Sequence, residues 1–238
     1  MTNNILCFTL CIVPSLLLMW YIYIKDKIEK EPPYLLLILY VAGIVSAVIS
    51  YLISTTLKIY LPFLNNTYSN MNVLQILFKS FIVIAFVEET SKWLINYICT
   101  WKNKNFNHLY DPIVYATFIS LGFATFENIL YGFAYRSFGL MPIILRGVIS
   151  VPCHAVFGII MGYYLGIAKN SIASDKLKQS KKYKFKSLII PILLHLIYDL
   201  LLINSTKIYY CLFIFYIITL YAIAFIKIRK LCGIKKKI

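Results

Sequence analysis

Charge is scarce in this sequence. Asp, Glu, Lys and Arg together make up 14% of its 238 residues, against about 25% in soluble globular domains. A soluble fold of this length cannot hide a chain that is 61% hydrophobic, with a mean hydropathy of +0.77. The composition therefore points to a polytopic membrane protein. Paired-cysteine signals are also missing. Cys7, Cys11, Cys99, Cys153, Cys211 and Cys232 form no CxxC and lie mostly inside apolar runs. In such runs Cys behaves as a small hydrophobe, so neither a disulfide framework nor a cysteine metal site is expected. No basic residue precedes the first apolar run, Ile5 to Ile24, and the lysines follow it instead. That order argues against a cleaved secretion signal and for a retained first span with its N-terminus outside. The net charge of +15 does not mark a nucleic-acid binder. The lysines gather in short clusters between apolar runs, and no basic helix or stripe stands clear of the membrane.

What is present is a series of apolar runs near 5–24, 34–57, 74–99, 111–134, 141–168, 187–204 and 207–226. Each is near the roughly 20 residues that a bilayer requires. The expected fold is all-α, a polytopic transmembrane helical bundle of about seven spans, forming one membrane-embedded domain over 1–238. No solenoid repeat, low-complexity tract or separate soluble module is visible. Lys25, Lys27 and Lys30 follow the first run, and Lys102 and Lys104 the third. Lys176, Lys178, Lys181, Lys182, Lys184 and Lys186 make a basic loop near 169–186, and Lys227, Arg229, Lys230 and Lys235 to Lys237 a basic tail over 227–238. The alternate connections hold little beyond Lys58, Arg136 and Lys207. With basic loops cytoplasmic, the N-terminus lies outside and the C-terminus in the cytoplasm. Topology and contact with anionic lipid account for these lysines without a ligand site.

Few ionisable residues remain within the runs: Glu88, Glu89 and Lys92, then Glu127, then Arg146 and His154, then His195 and Asp199. Each costs a few kcal/mol or more at the bilayer centre, so such groups usually face a bundle interior or a water-filled cavity. One of them alone is explained as well by an interhelical hydrogen bond. Carboxylates and histidines spread over four spans point to a site. At 1.5 Å per residue, Glu88 lies ~21 Å below the outer start of its run and His154 ~18 Å from Pro142. By the same measure His195 lies ~13 Å from Lys186 and Glu127 ~24 Å from Asp111. Allowing for tilt, all four reach the middle third of the membrane, with Glu127 shallowest towards the outside.

Spacing adds detail. Glu88 and Lys92 stand four apart in the order that favours an ion pair. Lys92 can neutralise Glu88 and leave Glu89 to work, or the reverse. An adjacent pair of carboxyls in a low-dielectric site suits a general base that later returns its proton. His195 and Asp199 share one helix face, where they can bind a metal jointly or the carboxylate can orient the imidazole. His154, Gly158, Gly162 and Gly166 fall on one ridge, where small residues let a neighbouring helix approach closely. The glycines read as packing, and they set His154 on a seam that faces protein.

EETSK (Glu88–Lys92), FATFENILY (Phe123–Tyr131), HAVFG (His154–Gly158) and HLIYD (His195–Asp199) together resemble the PrsW family of bacterial intramembrane proteases. They match its EExxK, FxxxExxxY, HxxxG and HxxxD motifs, in that order, on successive spans. KDKIEKEPP (Lys25–Pro33) resembles the short Asp/Glu-Pro connection that follows the family's first span. The resemblance covers nearly the whole chain and implies a protease of the bacterial cytoplasmic membrane, related to the CAAX-processing and Abi group. It implies that Glu88 and Glu89 activate a water, and that His154 and His195 hold that water, a metal or the developing oxyanion. Asp199 would orient or co-ligate, with Glu127 and Lys92 in support. The His/His/carboxylate inventory suits a catalytic zinc on His154 and His195, although no HExxH is present; a purely glutamate-activated water fits the same residues. The implied partner is a membrane-embedded substrate, a single-span anti-sigma factor whose first cut leads to release of an extracytoplasmic-function sigma factor in a stress response. Processing of CAAX-like peptides is the alternative within the enzyme class. A transporter would use similar residues as a proton relay, with broken helices and an internal repeat. A catalytically dead binding or immunity protein would not need four complete motifs.

Overall fold

Proline opens three of the long helices. Pro33, Pro112 and Pro142 each sit in a first turn, where a missing N–H costs nothing. Asn72 and Gln75 open a fourth with a reciprocal capping box: Gln75 N donates to Asn72 Oδ1 at 2.9 Å, and Asn72 N to Gln75 Oε1 at 3.0 Å. The computed structural model describes residues 4–204 and 206–234. Lys235 to Lys237 of the basic tail lie outside them. The described residues form an all-α bundle of α1 (Asn4–Lys25), α2 (Pro33–Tyr60), α3 (73–100), α4 (Asp111–Ala134), α5 (Met141–Ala173), α6 (Leu177–Ile203) and α7 (Lys207–Leu231). All but α3 are long and apolar enough to cross a membrane. The protein is a multi-pass membrane protein. In α3 the shortfall comes from Lys79, Glu88, Glu89 and Lys92, the residues that give the helix its chemistry.

One expected loop is mostly helix. The lysines of 169–186 leave only 174–176 as a turn, where Asp175 adopts φ +56°, and α6 begins at Leu177. Lysine is a good helix former, so a solvated basic turn simply extends the apolar rod beyond the bilayer.

Helix α4 is the axis of the bundle, with nearly every residue from Asp111 to Thr125 buried. Its neighbours approach through glycine. A Cβ on Gly162 of α5 would stand 2.1 Å from the Pro112 carbonyl oxygen, and one on Gly158 2.7 Å from that of Ala116. On the opposite side, a Cβ on Gly43 of α2 would meet the Ile119 carbonyl oxygen at 2.1 Å. These distances lie inside van der Waals contact, and the obstacles are backbone atoms that cannot rotate away. Gly162→Leu is expected to destabilise the protein by about 1–3 kcal/mol through overpacking, read as a lower melting temperature in detergent. An unchanged melt would mean that α4 and α5 do not pack this closely.

Two π-helical segments interrupt the rods, Lys79–Phe86 in α3 and Arg146–Ser150 in α5. Such segments rotate the next turns of the helix and release backbone carbonyls from the helical ladder. In α5 the cause is Pro152, which has no N–H to offer the Val148 carbonyl; Tyr221 of α7 donates its hydroxyl there at 3.2 Å. In α3, Ser54 of α2 donates to the Val83 carbonyl at 3.0 Å. Backbone groups in the apolar layer are thus satisfied by neighbouring side chains. The α3 segment ends just before Glu88 and Glu89, and the α5 segment, which begins at Arg146, ends one turn before His154.

At the lysine-rich end, Trp93, Tyr97 and Trp101 stack along α3 with 5.1 Å between successive rings, and Lys184 caps the stack 3.9 Å from the Trp101 ring. Asp111 ties down the 101–110 connection by accepting from Asn107 N at 2.9 Å and His108 N at 2.6 Å. The α1–α2 connection buries Asp26 and Glu31 nearby. Burial, reinforced by the Asp111 carboxylate, pushes Asp26 up to about 6, and burial pushes Glu31 up to about 8. The protein alone is a poor host for their charges.

Candidate active site

The ionisable residues of α3, α4, α5 and α6 meet in one place. Directly after its π segment, α3 turns Glu89 and Lys92 inward, and both are fully buried. Lys92 Nζ donates to Glu89 Oε1 at 2.6 Å and lies 3.1 Å from His154 Nδ1. The ion pair is therefore Glu89–Lys92, one turn apart, and Glu88 is the glutamate left without it. The Lys92 ammonium also rests 4.2 Å from the Phe123 ring centroid, a cation–π contact favoured where water is excluded. On its other side His154 Nε2 lies 2.9 Å from Glu127 Oε2, the same oxygen that Arg146 Nη2 meets at 2.9 Å. Glu89 Oε1 is shared with His195 Nδ1 at 2.9 Å, and His195 Nε2 lies 3.7 Å from Asp199 Oδ1. A continuous polar chain runs Arg146, Glu127, His154, Lys92, Glu89, His195 and on towards Asp199.

Beside this chain is a cavity of about 750 Å³. Glu88, Glu127, Arg146, His154, His195 and Asp199 line it, whereas Glu89 and Lys92 stand behind its wall. Neither carboxylate oxygen of Glu88 has a hydrogen bond or ion pair among the described residues, and its Oε2 is buried. Asp199 Oδ2 is likewise buried without a partner. The two adjacent glutamates thus occupy different environments: Glu89 is held by Lys92 and His195, and Glu88 faces open space. The cavity extends to Lys58, Tyr68, Lys79, Tyr135 and Ile203. These residues lie at or near the helix ends around 61–72, 135–140 and 204–206, the end away from the lysine-rich connections.

A family model described as PrsW family intramembrane metalloprotease matches residues 31–226. The chain belongs to the PrsW family. It is 36% identical over 236 residues to Protease PrsW of Clostridioides difficile (strain 630), covering 97% of this chain and 93% of the relative. It is 37% identical over 203 residues to Protease PrsW of Bacillus subtilis (strain 168), covering 84% and 85%. The relative of that name from Oceanobacillus iheyensis is 38% identical over 195 residues, covering 80% of each chain. No solved structure matches. Membership makes the chain a peptidase.

Sequence reasoning places Glu88, Glu89, Lys92, Glu127, His154, His195 and Asp199 together as candidates, and all seven lie in this cluster or on its wall. Arg146 enters that reasoning only as an ionisable residue at depth. It completes the far end of the chain: its Nε donates to Asn128 Oδ1 at 3.2 Å, and its guanidinium lies 3.9 Å from the Tyr131 ring. A lone arginine in an apolar run, placed one span after FxxxExxxY, is the available signal. Gly158 and Gly162 lie on the α4–α5 seam, as does Gly166, whose Cβ would stand 2.9 Å from the Leu109 carbonyl oxygen.

Proposed function

We propose that the chain is an intramembrane endopeptidase that makes the first cut in a single-span anti-sigma factor, leading to release of an extracytoplasmic-function sigma factor in a stress response. The observation that carries the chemistry is Glu88, a carboxylate facing the cavity with no protein partner. A general base must be free to hold a water and accept its proton. Glu88 takes that proton as the water attacks the scissile carbonyl, then returns it to the departing amine. Glu89, committed to Lys92, accepts from His195 Nδ1; as an imidazolium between Glu89 and Asp199, His195 keeps its Nε2–H for the oxygen on which charge develops. His154 and Arg146 are held in line by Glu127, and the Arg146 guanidinium brings positive charge to the wall.

The family description implies a metal, and the donor types suit one. Among the described residues, however, the only three such donors within 4.8 Å of one another are Asp26, Glu31 and Asp111, so ligand atoms at this cavity would have to close in to hold an ion. Four carboxylates (Glu88, Glu89, Glu127 and Asp199) share the site with one lysine and one arginine, so neutral histidines leave an excess of negative charge. His195 Nε2, Glu88 and Asp199 carry the freest donor atoms on the cavity wall, and Glu89 stands behind His195 in the role of the carboxylate that commonly orients a metal-binding imidazole. His154, the other zinc ligand expected from sequence, uses both ring nitrogens on Lys92 and Glu127 in this structure. A zinc ion held by a neutral His195 Nε2 and Asp199 would supply that charge stabilisation in place of the Nε2–H, polarising the carbonyl and leaving Glu88 free as the base.

Under the positive-inside reading of the lysines, the open end of the cavity faces the outside of the cell. That fits a substrate span whose cut lies in the outer half of the bilayer. Co-reconstitution of the purified protein with single-span anti-sigma factors, followed by mass spectrometry of the new termini, tests this reading. The expected result is one discrete cut in or just outside the outer half of the substrate's span. Cleavage confined to the cytoplasmic side, or none across a panel of such substrates, would contradict it.

A further inference from the structure

At the lysine-rich end of α4, well away from the cavity, a second group of acidic side chains is buried. Asp26 and Glu31 come from the α1–α2 connection and Asp111 from the first turn of α4. They are 3%, 4% and 1% exposed, and each presents an oxygen within 4.8 Å of the others. Asp111 is about 24 Å along α4 from Glu127, at 1.5 Å per residue, so this group is separate from the cavity.

Three carboxylates in such a space demand positive charge, and the protein does not supply it. None of the ion pairs among the described residues includes Asp26, Glu31 or Asp111. The basic groups nearby are turned to other partners. Lys30 donates to the Tyr23 carbonyl, Lys169 to the Trp101 carbonyl at 3.1 Å, and His108 Nδ1 lies 3.6 Å from Glu29. Asp26 Oδ2 and Glu31 Oε2 are buried without a hydrogen-bond partner.

A different kind of side chain points into the same place. The Tyr115 hydroxyl, one turn after Asp111 on α4, is fully buried and faces the Glu31 carboxylate, close enough to interact with it but without a well-formed hydrogen bond. A phenol oxygen so poorly partnered in the interior is costly, and beside three carboxylates it is one more hard oxygen. Oxygen donors alone, with no thiolate or imidazole among them, are the chemistry of magnesium and calcium.

We propose that Asp26, Glu31 and Asp111, with Tyr115 beside them, form a binding site for a hard divalent cation that clamps the α1–α2 connection onto the start of α4. The cation neutralises the three carboxylates at once. It also joins two segments that lie far apart in sequence, one of them the Asp/Glu-Pro connection of KDKIEKEPP.

The test uses the full chain in detergent, stripped with a chelator and then titrated separately with Mg²⁺, Ca²⁺ and Mn²⁺. Melting temperature and Mn²⁺ stoichiometry by electron paramagnetic resonance are the readouts. At least one of the three ions is expected to raise the melting temperature with the logarithm of its concentration, and one Mn²⁺ per chain is expected to be lost in Asp111→Asn and Glu31→Gln but kept in His195→Ala. Tyr115→Phe is expected to weaken binding about 10–100-fold, as loss of a group that supports a metal ligand does. The stripped Glu31→Gln protein should melt at or above the stripped wild type, because one buried charge has gone, and fall below it once cation is added. No rise with any of the three ions in the wild type overturns the proposal. So does binding that survives Asp111→Asn but is lost in His195→Ala.

Discussion

Replacing Glu88 by Gln is expected to slow cleavage about 10²–10⁴-fold, the usual share of a general base, while leaving the stability within about 0.5 kcal/mol of wild type. The two halves of this expectation have one cause. The Glu88 side chain makes no hydrogen bond or ion pair to the protein, so an isosteric amide removes no structural contact. What it removes is the proton-accepting oxygen facing the cavity. Rates from purified protein at matched folded fraction check the first half, and thermal unfolding in detergent the second. A large loss of stability would place Glu88 among the residues that hold the bundle together.

Lys92→Met should act in the opposite way. Lys92 and Glu89 are each fully buried and paired at 2.6 Å, and Lys92 also contacts His154 Nδ1. Removing one partner strands a charge in the interior, which costs about 3–5 kcal/mol. Dispersion from the methionine chain restores only a small part of that. Much of a typical folding stability of about 5–15 kcal/mol would then be gone, so a sharply lowered melting temperature is expected. Adding Glu89→Gln to Lys92→Met should recover part of the loss, since the stranded charge disappears with it. If Lys92→Met melts like wild type, the pair is not buried as described.

The rods and their order were legible because lipid imposes a simple rule: a helix needs about 20 apolar residues in sequence. α2 and α4 show this most plainly, and the run at 34–57 became the helix Pro33–Tyr60. The helical extent of α6 was less legible, because Lys178 to Lys186 look like a loop to hydropathy and like a good helix to backbone propensity. Gathering of the motif residues was also readable, since each costs energy in lipid and has reason to face the others. Which glutamate pairs with Lys92 was not. Spacings of three and four both bring side chains together on a helix, and the choice depends on how α3 is rotated after its π segment at Lys79–Phe86. No apolar count reveals that rotation. The partners of His154 were hidden for the same reason, as they lie on α3 and α4 and depend on how α5 turns after Arg146–Ser150. Asp26, Glu31 and Asp111 were not legible as a group because hydropathy places all three at the edges of spans, where charge is ordinary.

The central claim is a division of labour between two adjacent carboxylates: Glu89 holds the site together and Glu88 works in the cavity. The most direct test is single-turnover cleavage by purified, folded Glu88→Gln and Glu89→Gln, each scored together with its melting temperature. The account predicts that Glu88→Gln keeps the wild-type melt and yields essentially no fragment, while Glu89→Gln shifts the melt because Lys92 loses its counter-charge. A folded Glu88→Gln protein that cuts at the wild-type rate, beside an inactive Glu89→Gln protein of unchanged stability, would reverse the two roles and contradict the account.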